Sequence, residues 1–285
     1  MRLIRRLIKT VIALVLIIVI AFVIVNGYVQ KTYGISLVRT LKELKVLTDE
    51  VNTEQILYNP YDQSDVVDLQ QVVNASAEGL ITSDEDGEYK VNFDNLPAEM
   101  KCVIDLTDRQ VAAMSQTVID QELNGVASVG GSFLGVKIRQ VAFEKGESGT
   151  LVNTVFSLDL GQILTKIPAS FPFSIIKNRI PEVFYVSSVT ETVKGEEAFS
   201  YTVQHKGLTI NNLNAEDTED LFRTLDILLG IGSAQSLNVT LGEMMMDALV
   251  GNDESRGLAH QLESIGATDY DFTEKDGQIY FSVIR

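Results

Sequence analysis

The chain has 285 residues, with 23 Lys and Arg against 39 Asp and Glu, for a formal net charge of −16. A surface this acidic repels nucleic acid and other anionic polymers, which removes them as partners. The one cysteine, Cys102, excludes an internal disulfide, and a chain of this length can bury a core without one.

Residues 1–10 carry Arg2, Arg5, Arg6 and Lys9 and no acid, and read as a cytoplasmic basic segment. Val11 to Val25 follows without a single polar side chain. Extended to Leu7 and Val29, the run makes a helix of about 34 Å at roughly 1.5 Å per residue, enough for one membrane crossing. A single-pass span at 11–29 places the N-terminus inside and the bulk of the chain outside the cell membrane. A cleaved signal peptide shares this layout, with Val25 and Gly27 as a poor cleavage site, and leaves the folded part outside too.

Residues 30–58 are expected to form a juxtamembrane helix or stalk. Leu37, Val38, Leu41, Leu44, Leu47 and Val51 share one helical face, which either extends as a stalk or docks on the domain. Two heptads are too few for a coiled coil.

Residues 59–285 read as one α+β domain of long antiparallel hairpins packed on capped helices. After the turn Asn59–Asp62, Ser64 or Asp65 is expected to cap a helix with Val66, Val67, Leu69, Val72 and Val73 inward. Asp84–Gly87 reads as a hairpin loop. Its D-x-D-G string places Gly fourth where a calcium loop needs it sixth, so no metal is assigned. Cys102 falls in an expected strand, as a buried packing residue. Thr107 and Gln110 form a capping box, with Leu106 and Val111 as its staple, and the helix buries Val111, Met114, Val118, Ile119 and Leu123.

The glycine-rich segment from Gly125 to Gly135 follows a helix and opens a strand without a Walker lysine, so it reads as a connection, not a phosphate loop. Strands are expected at 136–144 and 151–160 around the turn Lys145–Gly149. Val152, Thr154, Phe156, Leu158 and Leu160 share one face. An apolar stretch at 167–176 holds Pro168 and Pro172, and the latter rules out a central strand. A second hairpin is expected from 183–193 to 198–213 around Lys194-Gly195.

Helices return after it. One starts at Asn214 or Asp217 and buries Leu221, Phe222, Leu225, Leu228 and Leu229. A second starts at a capping box formed by Thr240 and Glu243, with Met244, Met245 and Met246 as core and adjoining surface. A short third covers 254–265. A hairpin with Ile279, Phe281 and Val283 inward closes the chain. Phe143-Glu-Lys-Gly and Phe272-Thr-Glu-Lys-Asp-Gly form a faint echo, which duplicated helix-plus-hairpin units would explain and which common turn chemistry, the preferred reading, explains too.

His205 and His260 stand in no metal-ligand spacing, and no nucleophile-elbow motif occurs. No catalytic residue, cofactor or metal ligand is assigned. The absence of Trp argues against sugar or single-strand stacking platforms. The anomalous residues are Phe133, Leu134, Phe171, Phe173, Ile175 and Ile176, which either complete the core or line a contact for an apolar ligand or partner.

The order of anchor, strand, capped helix (Leu106-Thr107-Asp108-Arg109-Gln110), amphipathic hairpins and Ile180-Pro-Glu-Val-Phe-Tyr-Val186 resembles the YpmS-type membrane-anchored extracytoplasmic proteins of Gram-positive bacteria. It is loosely similar to TULIP-like lipid-binding domains. That resemblance implies a curled sheet around a long helix with lipid tails between, and carries over no functional residue. The expectation is a membrane-anchored extracytoplasmic protein that binds a lipid or an envelope protein. Alternatives are an envelope scaffold acting through helix contacts and an envelope hydrolase with an acid pair.

Overall fold

The computed structural model describes residues 45–83, 89–124, 135–159, 181–229, 232–251 and 257–285. The expected span at 11–29, the loop Asp84–Gly87, the glycine-rich connection 125–134 and the apolar stretch 167–176 lie outside them. Among the described residues no helix is long and apolar enough to cross a membrane.

A helical turn at 45–48 opens the described chain. Leu47 is wholly buried in the core, and the Asn211 side chain donates to its carbonyl at 2.8 Å. Asn212 donates to the carbonyls of Asp49 and Glu50 at 3.3 and 3.1 Å. Of the two roles open to this face, its described end docks on the domain.

The short α1 (Thr53–Ile56) leads to α2 (Gln63–Ser76). The cap of α2 is Asp62, not Ser64 or Asp65. Ser64 N donates to the Asp62 carboxylate at 2.8 Å, and Asp65 accepts from Asp62 N at 2.7 Å. Two aspartates three apart close the box first, and the serine hydroxyl adds a bond to Asp62 at 2.6 Å. Leu69 and Val73 are buried, whereas Val67, expected inward, is exposed.

β1 (Ile81–Ser83) and β2 (Tyr89–Val91) pair antiparallel across the loop. Cys102 is exposed, contrary to the buried strand position expected for it. The strand, β3 (Ile104–Leu106), begins two residues later. The Cys102 backbone is instead bonded in both directions by the Ser76 hydroxyl at the end of α2.

In α3 (Asp108–Asn124) the expected box is in place. Gln110 N donates to Thr107 Oγ1 at 3.2 Å, and Thr107 N donates to Gln110 Oε1 at 3.0 Å. Leu106, Val111, Met114, Val118 and Ile119 are buried; the Leu123 side chain is outside those described.

Four strands form an antiparallel meander: β4 (Gly135–Lys145), β5 (Thr150–Asp159), β6 (Val183–Lys194) and β7 (Tyr201–Ile210). Period two puts Ile138, Phe156, Val186 and Ile210 in one cross-strand row, and Val136, Leu158 and Phe184 in the next. These side chains are buried. β7 starts three residues later than expected, because the chain bends through 195–200 with Phe199 at φ +56.

Helix α3 lies over β4 on this face, and α5 (Ala234–Leu249) lies over β6 and β7. Between β7 and α5 runs α4 (Ala215–Leu229), capped by Asn214, which accepts from Asp217 N at 2.9 Å. The cap of α5 is Ser233, accepting from Ser236 N at 3.1 Å, so the capping box expected at Thr240 does not exist. Thr240 is mid-helix and its hydroxyl donates to the Ser236 carbonyl at 2.9 Å.

Met244, Met245 and Met246 are all buried, none at the surface, because α5 is enclosed by the sheet, α3, α4 and the chain that follows. Gly242 permits the close approach. A Cβ there would lie 2.6 Å from Val203 Cγ1 and 2.8 Å from Thr190 Cγ2.

A short α6 (Leu258–Gln261) and a 3-10 turn (Leu262–Ile265) precede β8 (Asp269–Lys275) and β9 (Gln278–Ile284). Asp276 and Gly277, at φ +52 and +78, make a two-residue turn. The second sheet has the order β3-β9-β8, so the last strand pairs with β3: Ile104 faces Val283 and Leu106 faces Phe281.

A candidate binding groove between the two sheets

The end of the large sheet and the C-terminal hairpin face each other across a groove of about 370 Å³. One wall holds Lys145, Thr150 and Thr192 from β4, β5 and β6, which stand in register across the sheet. The other holds Asp271, Phe272 and Glu274 of β8, with Ile279 of β9.

Aromatic contacts set the spacing between the walls. Phe143 of β4 meets Phe272 of β8 edge-on at 5.1 Å, and Phe272 meets Phe281 at 5.7 Å. Lys194, at the end of β6, pairs with Asp269 at 2.5 Å and lies 5.6 Å from the Tyr270 ring. Asp269 also accepts from Phe199 N at 3.1 Å, and the Tyr270 hydroxyl donates to the Ser200 carbonyl at 3.0 Å. Burial opposes ionisation of Asp269, but the bonds from Lys194 and the two amides outweigh it and hold its carboxyl below the usual range.

The sheet wall is shaped by a buried acid. Glu191 is fully buried on the strand face opposite Thr190 and Thr192. Its Oε1 accepts from Ser148 N at 2.6 Å and Gly149 N at 2.9 Å, and Lys206 reaches Oε2 at 2.7 Å. The Lys206 bond and then these amides hold its pKa down to about 2. The carboxylate thus serves as a template for the 145–149 turn. A Cβ on Gly146 would lie 2.3 Å from Glu191 Oε1, and one on Gly149 would lie 2.1 Å from the Thr192 carbonyl, so both positions require glycine.

One polar atom in the lining is unsatisfied. Thr192 is 2% exposed, and its hydroxyl makes no hydrogen bond among the described residues. A buried hydroxyl without a partner costs stability, and this one is closed off from the groove as well.

The expected contact residues Phe133, Leu134, Phe171, Phe173, Ile175 and Ile176 all lie outside the described residues. The groove residues were not singled out from sequence, although the echoing motifs around Phe143 and Phe272 fall on two of the strands that line it. His205 is engaged elsewhere: Asn238 donates to its Nδ1 at 2.8 Å, while Nε2 lies 3.6 Å from Glu219. His260 lies 3.6 Å from Glu263. Among the described residues no three His, Cys, Asp or Glu side chains gather as a metal site would need.

Comparison of the chain with family models, with curated proteins and with solved structures returns no match.

Proposed function

We propose that this chain is a binding protein held in the cell membrane by residues 11–29, with its folded body on the outer side, and that an envelope protein docks in the groove between the two sheets. The basic segment ahead of the apolar run supports the placement. The observation that carries the binding reading is the groove itself, at about 370 Å³ and within the size range of ligand sites, with the exposed Lys145 and Glu274 in its lining. Its mixture of charged, hydroxyl and apolar side chains suits a protein segment better than lipid tails, which have no use for polar walls. No catalysis is part of this reading.

A photo-crosslinking amino acid at Ser148, on the lip of the groove, tests it in intact cells. A control places the same group at Glu54, an exposed residue of α1. The expected result is one discrete protein adduct from Ser148 and none from Glu54. Lipid adducts alone, or the same adducts from both sites, would contradict it.

A further inference from the structure

The two walls of the groove differ in polarity. The sheet wall presents the exposed Lys145 and Ser148, while the Thr192 hydroxyl lies beneath its surface. It presents no acid, because Glu191 is turned to the opposite face and closed by Lys206. The hairpin wall presents the Glu274 carboxylate on the strand face it shares with Phe272 and Ile279, whereas the Asp271 side chain stands on the alternate face. Lys194 is committed to Asp269 and so belongs to the join between the walls. Among the described residues neither Lys145 nor Glu274 makes an ion pair, though both are exposed at the groove.

We infer that the groove takes a peptide segment carrying an acidic and a basic side chain side by side, the acid on Lys145 and the base on Glu274. This rests on the reading of the groove as a protein-docking site. Adjacent residues of an extended chain point to opposite sides, so neighbours of opposite charge reach opposite walls. Phe272 and Ile279 contact the aliphatic stems, and the ring favours a cation above it.

The test is calorimetric titration of the full-length chain in detergent micelles with acetyl-Ala-Lys-Asp-Ala-amide, and with the same peptide carrying Gln for Lys or Asn for Asp. The doubly charged peptide is expected to bind best, each neutralisation weakening it by roughly three- to five-fold, as for exposed ion pairs. Lys145→Gln is expected to abolish discrimination between the Asp and Asn peptides, and Glu274→Gln that between the Lys and Gln peptides. Both positions are exposed, so folding is retained. Equal binding of all three peptides, or binding of none, overturns the inference. If none binds while the Ser148 adduct still forms, the charge pairing fails and protein docking stands; if the adduct is absent too, both fall.

Discussion

Glu191 holds the 145–149 turn at one lip of the groove, and it ties that turn to pH. Its carboxyl has an ordinary pKa of 4.5 and is held down to about 2 in the folded chain. The unfolded chain therefore takes up a proton that the folded chain refuses between those values. The stabilisation is complete above about pH 4.5 and is lost as pH falls toward about 2. Urea melts at a series of acid pH values are expected to show this decline, and Glu191→Gln is expected to flatten it while lowering stability at neutral pH. Gly242 makes a second prediction. Its would-be Cβ meets methyls of Val203 and Thr190, both β-branched and stiff, so Gly242→Ala is expected to cost about 1–3 kcal/mol in the same melts.

At the scale of the element, two four-residue patterns of the same kind had opposite outcomes. Thr107 and Gln110 cap α3, with both reciprocal bonds made. Thr240 and Glu243 match the pattern but lie inside α5, which starts at Ser233. Ser233→Ala is therefore expected to cost about 1 kcal/mol of stability, and Thr240→Ala to stay within about 0.5 kcal/mol, by thermal or chemical melt. A real box at Thr240 would reverse that order. Helix and strand periods were readable because burial on one face repeats them: the rows through Phe156 and Leu158 follow period two across three strands. Caps and strand starts slipped where a nearby side chain won a backbone group, as Asp62 did from Ser64 and as the Ser76 hydroxyl did at Cys102. The groove was not legible. Lys145, Thr192 and Asp271 come from three strands in two sheets, and no local spacing encodes their meeting. The echo of Phe143 and Phe272 carried the only trace, since those rings touch.

At the scale of the molecule, the first and last described segments are drawn into one body. β9, at the C-terminus, pairs with β3, and residues 45–50 dock through Leu47 and the asparagines after β7. The domain therefore depends on the segment that leads back toward residues 11–29. Leu47→Ala is expected to destabilise the whole fold by about 2–5 kcal/mol, as for a buried leucine in a core, whereas a separate stalk would tolerate it with little change in the melt. The proposed placement of this body on the outer side of a membrane is central, because it decides which proteins can reach the groove. Cys102, the only cysteine of the chain and an exposed one, reports it directly. A membrane-impermeant maleimide added to intact cells is expected to label Cys102 fully, with no further labelling after lysis. Labelling that appears only once the cells are broken would contradict it.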